Sequence, residues 1–192
     1  MAALGVAELR SRLGHPVRVW KCDPVEVRDA APTDATALSQ IHAETWEDTY
    51  VGQVPDGLAE DRIARARDRN WTRHADLRVE LGGGVLVLIQ GDDVVGFCEF
   101  GPTEDADDDG RPVGHIMRLY VHPGHQGRGG GRLLLESACA RLADAGHENA
   151  TLWTLRAESN LAHGFYSRLG WTREDVNRLD DPDELRYRHQ LP

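Results

Sequence analysis

The stretch Val121–Gly146, VHPGHQGRGGGRLLLESACARLADAG, decides how this chain is read. Pro123 stops the strand that precedes it, and five glycines fall between Gly124 and Gly131. From about Gly129 to Ala145 a helix follows, with Leu134, Leu135, Ala138 and Leu142 on its inner face and Gly146 at its end. Glycine at this density is costly to order, so the turn must approach something closely. A P-loop would need Lys and Ser/Thr after its last glycine, but Gly129 is followed by Gly130 and Gly131 with no Lys. A dinucleotide fingerprint starting at Gly127 would put its third glycine on Arg132, and no acidic residue ends a following strand at the expected distance. What remains is a strand, a Pro-stopped turn and successive backbone N–H groups at the start of a long helix. Such groups, with the helix dipole behind them, bind phosphate oxygens. Gly127, Gly129 and Gly131 would let a diphosphate reach the backbone, with Arg128 and Arg132 adding charge. A surface turn that needs glycine only for its dihedrals is the alternative.

Outward from this turn, GHIMRLYVHP is the preceding strand and ATLWTL the following one. NLAHGFYSRLG reads as a short helix, and WTREDVN and ELRYRHQL as closing strands. Upstream, VEVRDA alternates like a strand, and ATALSQIHAETWEDTY carries Leu38, Ile41, Thr45 and Trp46 on one helical stripe after the start signal Pro32–Asp34. PDGLAEDRIARARDRNWTRHA reads as a second, strongly charged helix. VLVLIQ (Val85–Gln90) and VVGFCEF (Val94–Phe100) flank a Gly-Asp-Asp turn and form a hairpin. Hairpins first and strand–helix–strand later imply an α/β fold: a mixed sheet with helices on both faces.

The chain has 192 residues and a formal charge of −10, which argues against general nucleic-acid binding. No apolar run approaches membrane-spanning length, and the first residues lack the apolar core of a signal peptide. Cys22, Cys98 and Cys139 are far apart and in no metal-binding arrangement, which reads as reduced thiols in a cytoplasm; Cys98 and Cys139 fall inside elements and are expected to be buried. His122 and His125 flank a Pro-Gly turn without further ligands nearby, so no metal site is expected. The acidic clusters Glu104–Gly110 and Leu179–Glu184 are either solvated loops or attractors of a cationic substrate. Residues 1–24 form an extension, with a hint of a short helix at Val6, Leu9 and Leu13; it packs on the domain or on a second subunit, and a homodimer is left open.

QGRGGG (Gln126–Gly131) resembles the Q/R-x-x-G-x-G/A signature of the GNAT superfamily of acyl-CoA-dependent N-acetyltransferases. IMRLYVHP resembles the strand before that signature, NLAHGFYSRLGW (Asn160–Trp171) its N-x-x-A-x-x-F-Y-x-x-x-G-F segment, and WEDTYVGQVP (Trp46–Pro55) a segment common in bacterial members. The resemblance runs from about residue 25 to the end. It implies a mostly antiparallel central sheet with one splayed parallel pair and acetyl-CoA as co-substrate. It also implies that the backbone of Leu119, Tyr120 and Val121 bonds the pantetheine arm, and that Gln126, Gly127, Arg128, Gly129, Gly130, Gly131 and Arg132 hold the diphosphate. Asn160 would contact the cofactor as well as cap its helix. Tyr166 stands where the family places the acid that protonates the leaving sulfur.

Attack of an amine on a thioester needs a neutral nucleophile, although alkylamines hold their proton up to a pKa of about 10.4. Glu99, expected to share a strand face with Val95 and Phe97, would have a raised pKa and pass protons through water; Glu47 or a water chain could replace it. Trp46 and Tyr50, one helical turn apart, would form an aromatic wall for the acceptor, with cation–π contact before deprotonation. The expected activity is acetyl transfer from acetyl-CoA directly to a primary amine, with a cationic small molecule as acceptor. The rivals are a protein N-terminal or lysine acetyltransferase and a catalytically silent acyl-CoA-binding module.

Overall fold

Alternation along residues 84–102 sets the centre of the sheet. In β2 (Gly84–Gln90), Val85, Val87 and Ile89 pack on one face and Leu86 and Leu88 on the other, so both faces are covered. β3 (Asp93–Pro102) returns antiparallel from a tight turn in which Gly91 takes φ 64°, open to glycine at little cost. The computed structural model describes residues 24–192 apart from 53, 55, 109 and 178–183, so the expected helix in the N-terminal extension, Cys22 and most of the second acidic cluster lie outside the described residues. The remaining strands are β1 (Val25–Asp29), β4 (Val113–Val121), β5 (Asn149–Leu155), β6 (Thr172–Asn177) and β7 (Glu184–Gln190). Among the described residues they form one seven-stranded sheet in the order β1-β2-β3-β4-β5-β7-β6. Every neighbouring pair is antiparallel except β4 and β5.

Helices cover both faces. On one, α1 (Ala35–Tyr50) and α3 (Trp71–Glu80) bury Leu38, Ile41 and Trp71 against Val85, Val87, Ile89 and Phe97. On the other, α4 (Gly130–Asp144) and α5 (Ala162–Arg168) bury Leu134, Leu135, Leu142 and Tyr166 against Leu86, Leu88, Cys98, Ile116 and Leu152. Full burial of each such leucine contributes about 1.5–3 kcal/mol relative to exposure.

Two local readings are corrected. The charged stretch expected as one helix is two, α2 (Asp56–Asp68) and α3. The break falls at Asn70, whose side chain accepts a 3.0 Å bond from the Arg73 N–H and so caps α3. Val95 does not share the face of Phe97 and Glu99: Gly96 pairs with Leu88 and Val94 with Ile89, leaving Val95 as an extra bulged residue that packs beside Cys98. A second bulge lies in β4, where Arg118 pairs with Glu99 and Ile116 with Phe100, leaving Met117 between them. Cys98 and Cys139 are buried, as expected.

Candidate active site

The Met117 bulge marks the place where the sheet opens. β4 and β5 are paired from Val113–Asn149 to Ile116–Leu152 and no further. A bulge bends its strand and increases the local twist, so β4 leaves β5 and follows β3 alone, with Leu119, Tyr120 and Val121 opposite Cys98, Phe97 and Gly96. A cavity of about 440 Å³ fills the wedge, lined by Leu119 and Tyr120 on one wall and Trp153, Thr154 and Leu155 on the other. A strand edge without a partner strand must find other acceptors and donors for its main chain.

At the end of the same strand the glycines of the opening stretch separate into different uses. Gly127 and Gly129 take φ 73° and 87°, with open space where a Cβ would stand. Gly130 is buried, and a Cβ there would lie 2.4 Å from the Leu88 side chain; at Gly131 it would meet only ordinary contacts. The main-chain N–H groups of residues 127–132 have no acceptor among the described residues; the Gln126 N–H, by contrast, is bonded to Pro123 O, and the first helical bond is Leu133 N–H to Gly129 O. The Gln126 side chain donates to Val121 O at 2.9 Å and so ties the turn to the end of β4. Arg128 curls back to Gly124 O and Arg132 pairs with Glu136, both on the surface where an anion can compete. Replacing Gly129 by Ala forces a side chain into the left-handed region at a cost of about 1–2 kcal/mol. The exposed turn of the free variant relaxes to escape that strain and coenzyme A binding has to restore it, so calorimetry is expected to show binding weakened by about 5- to 30-fold with little change in Tm. Gly130→Ala, which collides with the core, is expected to lower Tm instead.

Tyr166 lines the cavity from α5, packed against Phe165, Trp171 and Tyr187. Burial, with smaller effects from Cys98, Tyr120 and Tyr187, pushes its pKa well above the ordinary phenol value, so the proton stays on the oxygen. Asn160 is buried one residue ahead of the α5 cap: its Oδ1 accepts from Ala162 N–H, and its Nδ2 donates to Thr154 Oγ1 and Leu155 O. It therefore joins the end of β5 to the helix that carries Tyr166.

Glu99 reverses its expected electrostatics. The side chain is fully buried, and Oε1 accepts from His74 Nε2 at 2.7 Å and Arg78 Nε at 2.6 Å while Oε2 accepts from Arg118. Burial alone would raise its pKa, but the His74 hydrogen bond and the Arg118 charge outweigh it and hold the carboxyl down to about 2. The apolar strand face inferred from the sequence lacked the cations that α3 and β4 deliver. A carboxylate so saturated is a poor proton acceptor, and the base role is withdrawn. Glu47 pairs with Arg67 and does not line the cavity.

Trp46 and Tyr50 both line the cavity, with ring centroids 4.5 Å apart, and Trp46 Nε1 donates to the Tyr120 hydroxyl. The cation over Trp46 is the protein's own Arg62, 5.9 Å from the ring, in place of the expected acceptor amine. The acidic loop is likewise committed. Asp107 is bonded to Arg186 at 2.8 and 2.6 Å, Asp108 to Arg188 at 2.7 Å, and Asp105 to Arg186 and Trp153 Nε1. Asp105, Asp107 and Asp108 stand close enough to hold a cation, but Arg186 already sits among them. The charge of Asp105, Asp107 and Asp108, part of what was invoked to attract a cationic substrate, is thus neutralised within the fold, while most of the second cluster lies outside the described residues. His122 and His125 pair with Glu44 and Gln90.

The sequence reading missed the other wall. Arg62, Arg65, Arg69, Arg78 and Arg118 line the cavity, together with His42. His42 is buried in contact with Tyr120, its Nδ1 has no hydrogen-bond partner among the described residues, and burial followed by the charges of Arg118 and Arg69 lowers its pKa to about 3.

Splayed parallel strands, with a glycine turn at the end of one of them whose N–H groups are unpaired among the described residues, are the features of an acetyltransferase fold. The chain matches the Acetyltransferase (GNAT) family over residues 38–171 and belongs to it. It is similar to the L-amino acid N-acyltransferase MnaT of Escherichia coli, 31% identical over 129 residues that span 64% of this chain and 65% of that protein. A mycothiol acetyltransferase of Propionibacterium freudenreichii is 33% identical over 86 residues, 45% of this chain and 27% of its own length. Among solved structures, the PaiA N-acetyltransferase of Thermoplasma acidophilum in complex with coenzyme A superposes with a TM-score of 0.73 at 20% identity, covering 87% of this chain and 99% of that one. The yncA protein of Salmonella typhimurium with acetyl-CoA gives 0.63 at 24% identity, covering 88% and 94%. Among the described residues no helix is long and apolar enough to cross a membrane.

Proposed function

We propose that this protein transfers the acetyl group of acetyl-CoA directly to the primary amine of a small molecule. The observation that carries the reading is the meeting, at one end of β4, of an unpaired strand edge and the unpaired N–H groups of residues 127–132. The main chain of Leu119, Tyr120 and Val121 bonds the pantetheine as an added strand would, and the amides of residues 127–132 receive the diphosphate at the positive end of α4. Asn160 holds α5 against β5 close to that arm.

The cavity lowers the affinity of a bound amine for its proton. The environment of His42 supports this: burial and neighbouring guanidinium groups favour its neutral form, and the same two causes act on an ammonium in the same space. The amine nitrogen then bonds the thioester carbon and loses its proton to water, and Tyr166 gives its phenolic proton to sulfur as the C–S bond breaks. No side chain is acylated. A small acceptor is supported by the cavity size and by the relatives' names, an L-amino acid for one and mycothiol for the other.

Thiol release from acetyl-CoA across a panel of small amines tests this reading. Turnover of small amines is expected. Mass shifts on cell protein without turnover of small amines would favour a protein acceptor, and coenzyme A binding without turnover of either would leave a silent binding module.

A further inference from the structure

The arginine wall has a use that acetyl transfer alone does not require. Arg62, Arg65 and Arg69 follow one another at three- and four-residue spacing along α2 and just past its end, which turns them to one side. Their partners differ. Arg65 pairs with Asp61 at 2.9 Å, while Arg78 and Arg118 both hold Glu99. Arg69 is half-buried with its guanidinium 5.6 Å from the Trp71 ring centroid, and it has no carboxylate partner among the described residues; even its Nε, closed to solvent, lacks an acceptor. Glu99 thus faces three guanidinium groups, Arg69, Arg78 and Arg118, and of these only Arg78 has a further carboxylate among the described residues, the exposed Glu104. Of the other acids in the lining, Glu104 pairs with Arg78 and Asp105 with Arg186, and Glu184 lies on β7, beyond β5 on the opposite wall. A partly desolvated cation without a counter-charge is unfavourable, and a bound anion removes the penalty.

We propose that Arg69 is the specificity-determining residue for the acceptor and receives its carboxylate, so that the substrate class is small amines that also carry an acid, of amino-acid size. This inference rests on the acetyl-transfer reading above and adds the acceptor's charge to it. The planar guanidinium fork matches a carboxylate by two parallel hydrogen bonds. Acid at one end and amine at the other then orient the nucleophile toward the wedge.

The experiment compares kcat/KM for amines that share one skeleton and differ at one carbon: carboxylate, carboxamide, phosphonate or hydrogen. The carboxylate is expected to exceed the carboxamide by about 10- to 100-fold, the range for hydrogen bonds to charged groups. Arg69→Ala is expected to collapse that ratio toward one, chiefly through KM, and Arg69→Lys to restore part of it, with coenzyme A binding by calorimetry as the control for folding. Equal rates for acid and amide in the parent protein, or a ratio that survives Arg69→Ala, would overturn the subsite and leave acetyl transfer standing; a phosphonate faster than the carboxylate would overturn the choice of anion. If no amine is turned over, the transferase reading fails instead. The subsite is then judged by titrating N-acetyl amino acids and their amides into the coenzyme A-loaded protein, where equal affinities overturn it.

Discussion

Tyr166→Phe is expected to lower kcat by about 10²- to 10⁴-fold, the usual contribution of a positioned acid. The substitution removes one oxygen and keeps the ring that packs on Phe165, Trp171 and Tyr187, so stability and coenzyme A affinity should change little. The drop should be shared by kcat and kcat/KM, because the lost interaction is made only as sulfur becomes negative. The raised pKa of Tyr166 means that the phenol is a weak acid in the free protein. The same burial that disfavours phenolate disfavours a thiolate released in the wedge, so the transfer is closer to balanced there than in water. The raised value also has a consequence for pH: the phenol does not ionise in the neutral range, and the rate should show no fall there from its deprotonation. Steady-state kinetics of thiol release measures both. A phenylalanine enzyme as fast as its parent removes the proton-donor role.

What could be read beforehand depended on how far apart the interacting residues lie in sequence. The hairpin, the helix after the glycine turn and the order of the elements rest on contacts within a few positions, and period and turn chemistry reveal those. The bulges at Val95 and Met117 do not, because an inserted residue in a strand leaves the residue types unchanged and shifts only the register. Yet Met117 is what parts β4 from β5, so the wedge itself was legible only through family resemblance. The partners of the acidic loop were hidden for the same reason of distance: Arg186 and Arg188 lie about eighty residues further along the chain. The spacing of Arg62, Arg65 and Arg69 was visible and fits a solvated helix face equally well; only the break at Asn70 and the packing of α3 turn it into a cavity wall. For the opening question, why so many glycines, local reasoning found the positive-φ positions in kind but could not foresee that Gly130 makes room for Leu88.

Glu99→Gln separates the role first read for that residue from the one the fold assigns. Removing its charge leaves Arg78 and Arg118, with His74, around a neutral amide in a fully buried position. Breaking a buried ion pair from one side costs about 3–5 kcal/mol, so the urea midpoint at pH 7 should fall steeply. The direction with pH follows from the lowered pKa. A carboxyl near 2 in the fold and 4.5 in the unfolded chain stabilises fully above 4.5, and that stabilisation is lost as pH falls from 4.5 toward 2. The gap between parent and variant should therefore be widest at neutral pH and narrow across that window. Catalysis gives the complementary reading. If the acid limb of the rate profile reports ionisation of the bound amine, the refolded variant keeps such a limb, even though a loosened Arg118 and Arg78 slow the reaction. A variant as stable as its parent that has lost the acid limb would return Glu99 to the part of general base, and the cluster of cations around it would need another explanation.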